Sequence, residues 1–209
     1  MIYIIFICFA APLTLMIPFL RKQSRWLIIF MLLGSAIAVS AAEVNSAIMQ
    51  MFQLSVLDIS LRVAPVTEEI MKAIPVLMFA LLSSDDGRKV LPLSMAVGIG
   101  FAILENSHYL INNLSNADLL WALLRGISAS LMHGICTFLI GCGIVYVKKQ
   151  KEIFYAGIFG LLTVVITLHA IYNLLLLSCW TVVALWIPIV IYLIAQILLH
   201  RNRFYRKRN

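Results

Sequence analysis

Residues 64–82 read APVTEEIMKAIPVLMFALL, an apolar run with three charged residues in its first half, Glu68, Glu69 and Lys72. A membrane-spanning helix needs about 20 predominantly apolar residues, so the run is long enough to cross a bilayer. An ionisable residue at membrane depth costs roughly 2.5 kcal/mol or more, and such residues almost always face a bundle interior or a wet cavity. The run therefore predicts a membrane helix surrounded by other helices, with its polar face turned toward them.

Further apolar runs extend over the rest of the 209 residues, at 3–20, 26–42, 90–112, 118–147, 153–177 and 180–199. The chain is 63% hydrophobic and 12% charged, whereas a soluble domain averages roughly 45–50% apolar and ~25% charged residues. This composition leaves no room for a separate soluble domain. It predicts an all-α fold, a polytopic membrane helix bundle of about seven transmembrane helices, in a single membrane-embedded domain over residues 1–209.

The basic residues indicate how this bundle is oriented. Thirteen of the sixteen Lys and Arg fall in four clusters: Arg21/Lys22/Arg25, Arg88/Lys89, Lys148/Lys149/Lys151 and a tail at 200–209. With seven spans all four clusters lie on one side, and basic loops stay cytoplasmic. We therefore expect a multi-pass protein of the cell membrane with its N-terminus outside and its basic tail in the cytoplasm. This distribution accounts for the net charge of +7 without a nucleic-acid partner.

Residues 43–62 are moderately apolar but are interrupted by polar residues. If they formed an eighth span, every later loop would change side and the charge pattern would be lost. We expect an outer loop here, containing an amphipathic helix at the membrane interface. An eighth span is the alternative.

Ionisable residues remain inside four of the predicted spans: Glu68, Glu69, Lys72, Glu105, Arg125, His133 and His169. At 1.5 Å per residue, Glu68, Glu105 and the two histidines lie about 21–24 Å from the cytoplasmic ends of their spans. Because the hydrocarbon core is ~30 Å thick, this depth places them in one layer of its outer third. One shared polar site near the extracytoplasmic face is the simplest account.

The spacing within residues 64–82 suits acid–base chemistry. Glu68 and Lys72 are i,i+4, and Glu69 and Lys72 are i,i+3, so the lysine can pair with either carboxylate. One carboxylate can then stay ionised in the pair while the other is free to act as a general base. The alternative is a structural ion pair that holds two helices together.

The later polar residues suit a supporting role. His169 and Asn173 are i,i+4, and an imidazole and an amide that act together can stabilise a developing oxyanion. Arg125 can pair with Glu69 or Glu105. Each histidine can equally be a core residue that is hydrogen-bonded to a neighbour.

Four sequence elements resemble the PrsW family of membrane proteases: APVTEEIMK at 64–72, GIGFAILENSHY at 98–109, LRGISASLMHG at 124–134 and LHAIYN at 168–173. They contain EExxK, FAxxEN, R-x7-H and HxxxN in the family's order, and they define a motif-bearing core at 64–178. The family is similar to the wider group of CAAX-type, or glutamate, membrane proteases.

The resemblance implies roles for the residues of the first and last elements. Glu68 would activate a water molecule, with Glu69 and Lys72 setting its charge state. His169 and Asn173 would bind the oxyanion.

The chain departs from the CAAX-type pattern at Glu105, where that group has a histidine. The partner of the water is then this carboxylate or His133, with Asn106 and Arg125 in support. Zn²⁺ accepts nitrogen and oxygen ligands, so a metal site is the other possibility, formed by Glu68, Glu105, His133 and His169. The chain has no HExxH motif, so we favour a metal-free glutamate mechanism over zinc.

The sequence thus predicts an intramembrane endopeptidase that cuts a membrane protein near the extracytoplasmic face. The resemblance implies a single-span anti-sigma factor as substrate and a site-1-type cut. Intramembrane carboxylates and histidines also form proton relays, so a proton-coupled transporter or ion pathway is a rival interpretation. A non-catalytic membrane scaffold that keeps the motifs for packing is another.

Overall fold

The computed structural model describes residues 2–83, 86–113 and 118–206, which form a helical bundle without strands in those ranges. The helices are α1 (Ile2–Met16), α2 (Lys22–Phe52), α3 (Val56–Asp58), α4 (Ala64–Leu82), α5 (Gly87–Asn112), α6 (Leu119–Val147), α7 (Phe154–Leu176) and α8 (Thr181–Arg206). A π-helical segment, Ile59–Val63, joins α3 to α4. The side chains of the basic tail at 200–209 lie outside the described part of the chain.

Four helices of the described residues are long and apolar enough to cross a membrane: Ser24–Phe52, Gly87–Asn112, Leu119–Val147 and Phe154–Leu176. They indicate a multi-pass membrane protein. α1 has only 15 residues, the apolar part of α8 is the shorter stretch Thr181–Ile194, and α4 carries three buried charged residues. The count of seven spans and the orientation of the termini therefore stay predictions.

Residues 43–62 do not form a separate loop, so that part of the interpretation is wrong, whereas their position at the membrane interface stays a prediction. Residues 43–52 continue α2, whose 31 residues end at Phe52, and the capping residue Gln53 has a left-handed conformation (φ 50). At 1.5 Å per residue this helix is about 46 Å long, so it exceeds a ~30 Å hydrocarbon core. No proline or glycine interrupts positions 35–52, so no helix breaker acts there. Residues 56–63 lead helically into α4.

Three of the basic clusters lie at one end of the bundle. Lys22 at the start of α2 and Arg88 and Lys89 at the start of α5 line one cavity. Lys148 at the end of α6 donates a hydrogen bond to the Ala80 carbonyl at the end of α4 (2.6 Å). We call this the basic end of the bundle.

α5 lies at the centre, between α2 and α6, and glycines let the three helices approach closely. A Cβ on Gly98 would collide with the backbone of His133 on α6, and one on Gly100 with the backbone of Met31 on α2. Ser35 of α2 donates a hydrogen bond to the Gly100 carbonyl (2.7 Å). Such contacts between backbones are typical of membrane helices with small residues at their interfaces.

Candidate active site

Helices α4 to α7 each contribute ionisable side chains to one cluster in the bundle interior. The cluster comprises Glu68, Glu69 and Lys72 of α4, Glu105 of α5, His133 of α6 and His169 of α7. Glu69 and Lys72 are completely buried, and both histidines are 2% exposed. Glu105 is the most accessible member, with 23% of its side chain exposed.

Glu69 and Lys72 organise the centre of the cluster. Glu69 Oε1 accepts hydrogen bonds from Lys72 Nζ (2.7 Å) and His169 Nδ1 (2.8 Å). Lys72 Nζ also lies 2.9 Å from His133 Nδ1. Because an ammonium group only donates, this nitrogen accepts, and the other nitrogen of the His133 ring carries the proton. His133 Nε2 then donates to Glu105 Oε2 (3.0 Å).

Glu68 and Glu69 each have a buried Oε2 atom without a hydrogen-bond partner among the described residues, and of the two Glu68 is the one that lines the cavities of the site. The nearest ring nitrogen, His169 Nε2, lies 3.8 Å from Glu68 Oε2. A buried polar atom without a partner costs free energy unless a ligand or an ordered water satisfies it. Glu68 Oε2 is therefore the point where the site has room for a reactant or an ion.

Three members of the cluster have ligand atoms close enough together for a possible metal site. Glu68, His133 and His169 each offer one ligand atom, and these atoms lie within 4.8 Å of one another. Two imidazoles and one carboxylate are a ligand set of catalytic zinc sites, where bond lengths of ~2.0–2.2 Å separate neighbouring ligands by roughly 3.3 Å. The hydrogen bond from His169 Nδ1 to Glu69 leaves His169 Nε2 free to bind the ion. Metal-binding histidines commonly donate their other ring N–H to a carboxylate in this way.

Two cavities meet at Glu68 and Glu105, which line both. The first, of about 240 Å³, lies among α6, α7 and α8 and includes Trp121 and Leu185; we call it the α6–α8 cavity. The second, of about 360 Å³, is bordered by α1, α2 and α5; we call it the α1–α2 cavity. Its lining includes the polar residues Asn45, Ser60, His108, Asn112 and Asn113.

Asn173 and His169 do not act together as a pair of donors in this structure. His169 contacts the two glutamates, whereas Asn173 Nδ2 donates to the Ser60 carbonyl (2.9 Å). The reason lies in the π-helical segment, where the N–H of Ala64 bonds to the Ile59 carbonyl. In that register the donor for Ser60 would be residue 65, which is a proline and has no N–H. The Asn173 amide takes its place.

The other residues expected to support the site lie beside the cluster. Arg125 stacks on the ring of Tyr109, 3.8 Å from its centroid, and the ion pairs of the described residues do not include it. It lines the α6–α8 cavity, and its Nε atom is buried without a partner among the described residues. Asn106 Nδ2 lies 3.4 Å from Ser130 Oγ.

Sequence reasoning gave two aromatic side chains of the site no part in its chemistry. Phe101 lies beneath the Lys72 ammonium, 4.7 Å from ring centroid to Nζ, and packs on the His133 ring at 4.9 Å. Tyr172 and Ser128 share a buried hydrogen bond of 2.9 Å next to the α6–α8 cavity. Phe101 lies one helical turn before Glu105, and this spacing could have predicted that its ring lies at the site.

A family model described as PrsW family intramembrane metalloprotease matches residues 22–199. The match includes every member of the buried cluster. No curated protein and no solved structure matches the chain.

Proposed function

Because the chain belongs to the PrsW family and is therefore an intramembrane protease, we propose that it hydrolyses a peptide bond of a membrane protein where its two cavities meet. The observation that carries this proposal is the buried, unpartnered Oε2 atom of Glu68. It lies beside His169 and on the border of both cavities. A carboxylate in this position can take a proton from a water molecule as that water attacks a carbonyl.

The two cavities support separate routes for water and peptide. The polar groups of the α1–α2 cavity, among them Asn45 and Asn112, can hydrogen-bond a chain of water molecules that leads to the carboxylates. The α6–α8 cavity has the apolar residues Trp121 and Leu185 in its wall, which suit the side chains of a membrane segment. Water and the scissile bond then meet between Glu68 and Glu105.

The buried Glu69–Lys72 pair positions the two histidines. Glu69 holds the His169 ring through Nδ1, and Lys72 holds the His133 ring through Nδ1. Both rings therefore keep one orientation before any substrate arrives, which lowers the cost of organising the site during the reaction.

The description of the family as metalloproteases supports a metal-dependent form of the reaction over the metal-free mechanism that the sequence favoured. Glu68, His133 and His169 would hold the ion. His133 would bind it through Nε2, which requires that this nitrogen give up its proton and its hydrogen bond to Glu105, and that Lys72 no longer donate to Nδ1. A bound Zn²⁺ would act as a Lewis acid and make water more acidic. Glu105 borders both cavities next to His133 and is then the carboxylate that accepts the proton.

The site lies far from the basic end of the bundle. Glu68 is near the start of α4, and Ala80 at the end of α4 contacts Lys148. If the basic end is cytoplasmic, the cut falls near the extracytoplasmic face of the cell membrane. Together with the family resemblance, this supports a single-span anti-sigma factor as substrate and a site-1-type cut.

The test is cleavage of candidate single-span membrane proteins by the purified protein in liposomes. We expect Glu68→Gln, Glu105→Gln and His169→Ala each to lower turnover at least 10²-fold, the order found when one catalytic group is removed. Lys149→Gln, an exposed charge change at the basic end, is the control. Full turnover in all three site variants would refute the proposal, and proton flux without cleavage would favour a transporter.

Treatment with a chelator tests whether cleavage requires a metal ion. Dialysis against a chelator should abolish cleavage, and added Zn²⁺ should restore it. Metal analysis of the purified protein should find less zinc in His169→Ala than in Lys149→Gln. Cleavage that survives chelation would restore the metal-free glutamate mechanism.

A further inference from the structure

A larger cavity lies at the basic end of the bundle, away from the candidate active site. Its volume is about 690 Å³, and it lies between the start of α2, the end of α4 and the start of α5. Its wall includes the apolar side chains of Trp26, Phe79 and Leu93. This volume is in the range of cavities that bind small molecules, roughly 300–1,000 Å³. We call it the basic-end cavity.

The described residues that line the cavity carry a net positive charge. They include three cations, Lys22, Arg88 and Lys89, and one acid, Asp86. The Asp86 carboxylate is bound by Arg88 (3.2 Å), and the hydrogen bonds from Arg88 hold the pKa of Asp86 below its ordinary value. Three cations and one carboxylate give these lining residues a net charge of +2. An anionic group is therefore the complementary ligand.

The cavity also lies at a membrane boundary. The helices α2 and α5, which contain the apolar spans Ser24–Phe52 and Gly87–Asn112, begin beside it, and the basic residues lie in the first turns of these helices. A ligand here has charged groups at the level of lipid headgroups and an apolar wall on the hydrocarbon side. Basic pockets between membrane helices are known to bind anionic lipid headgroups.

We propose that the basic-end cavity binds one anionic phospholipid. Its phosphate lies against Lys22, Arg88 and Lys89, and the first carbons of an acyl chain lie along Trp26 and Phe79. A free phosphate ion would use the cations alone and leave the apolar wall unoccupied. Bound lipid would join α2, α4 and α5 at the end of α4 that lies opposite Glu68. This proposal does not depend on proteolysis.

The experiment measures thermal unfolding of the purified full-length protein in detergent. Phosphatidylglycerol, phosphatidylcholine and inorganic phosphate are titrated separately, because a ligand that binds only the folded state raises the melting temperature. We expect a saturable rise with phosphatidylglycerol that neither phosphatidylcholine nor phosphate reproduces. An equal rise with phosphatidylcholine, or a full rise with phosphate, would overturn the proposal.

Matched variants locate the binding site. Lys22→Gln and Lys89→Gln should each weaken the apparent affinity for phosphatidylglycerol about fivefold, the effect of one basic residue near an anionic lipid. Lys149→Gln removes the same charge at the same end but outside the cavity, and should leave the affinity unchanged. Equal loss in Lys149→Gln would show general surface attraction and would refute the assigned site.

A further variant fills the cavity without changing its charge. Ser83 lines the cavity and is exposed at the end of α4, so Ser83→Trp should fold and block the space for the lipid. We expect it to lose most of the phosphatidylglycerol shift while its melting temperature without lipid stays close to wild type. An unchanged shift in Ser83→Trp would contradict binding inside the cavity, even if the lysine variants could not be purified.

Discussion

Lys72 is completely buried, and three groups surround its ammonium. It pairs with Glu69, bonds to His133 and lies over the Phe101 ring. Removing one partner of a buried ion pair typically costs 3–5 kcal/mol, because the other charge is left uncompensated, whereas replacing both partners often costs much less. Lys72 thus stabilises the folded protein and also neutralises a buried carboxylate of the site.

We expect Lys72→Met to lower the free energy of unfolding by about 3 kcal/mol. The double variant Lys72→Met/Glu69→Gln should recover part of this loss, because no unpaired charge remains. Denaturant unfolding of the purified protein measures both, with the exposed Lys149→Met as control. The single variant Glu69→Gln completes the cycle: if the losses of Lys72→Met and Glu69→Gln simply add in the double variant, the pair is not coupled and our interpretation of the cluster centre is wrong.

The partner of Lys72 could not be predicted from the sequence. Helical spacing allowed Glu68 and Glu69 equally, because i,i+4 and i,i+3 both bring side chains together. The structure pairs Lys72 with Glu69, which also bonds to His169, 100 residues away. Spacing within one helix cannot reveal a contact that another helix makes, so which glutamate stays free could not be predicted.

At the scale of elements, the π-helical segment before α4 determines what Asn173 does. We expect Asn173→Ala to cost about 1–3 kcal/mol of stability, because the Ser60 carbonyl loses its donor. In Pro65→Ala, residue 65 has a backbone N–H, which in the π-helical register can donate to the Ser60 carbonyl. The loss caused by Asn173→Ala should therefore be smaller in a Pro65→Ala background, as measured by a double-mutant cycle of unfolding free energies.

The same variants separate a structural Asn173 from an oxyanion donor. A residue that only positions the start of α4 should regain cleavage when Pro65→Ala replaces its hydrogen bond. If cleavage stays at least 10²-fold low although stability recovers, Asn173 contacts the reacting carbonyl. The HxxxN spacing predicted that His169 and Asn173 share a helix face, but it carried no information about an unsatisfied carbonyl on a different element.

The approach of α5 to α6 positions His133, and Gly98 permits it. We expect Gly98→Ala to destabilise the protein by about 1–3 kcal/mol, because its Cβ meets the His133 backbone, which cannot move without moving the helix. Gly126→Ala on α6 is the matched control, since its added Cβ meets no described atom within 4 Å apart from its chain neighbours and the nearby backbone of its own helix. It should raise stability by roughly 0.5–1 kcal/mol through helix propensity. Equal destabilisation by both would contradict the role of Gly98.

At the scale of the whole molecule, composition and charge clusters predicted the all-helical membrane bundle because these are properties of long stretches. The length of α2 could not be predicted in the same way. Its polar residues at 43–52 were interpreted as the start of a loop. Within the helix, Asn45 accepts a hydrogen bond from Thr67 of α4 (2.6 Å), so a packing contact between helices accounts for one of those polar residues.

Orientation in the membrane decides whether the proposed cut is extracytoplasmic, and two positions on opposite ends of the bundle test it. Cys179 is exposed after the end of α7, next to the α6–α8 cavity, whereas Lys149 is exposed at the basic end. The positive-inside rule places Cys179 outside and Lys149 inside.

A membrane-impermeant maleimide should therefore label Cys179 in intact cells, and Cys179→Ser should remove that signal. In the Cys179→Ser background, Lys149→Cys should react only after the membrane is opened. The reverse pattern would place Glu68 near the cytoplasmic face, and a site-1-type cut of an anti-sigma factor would then be untenable even if the protein proved to be an active protease.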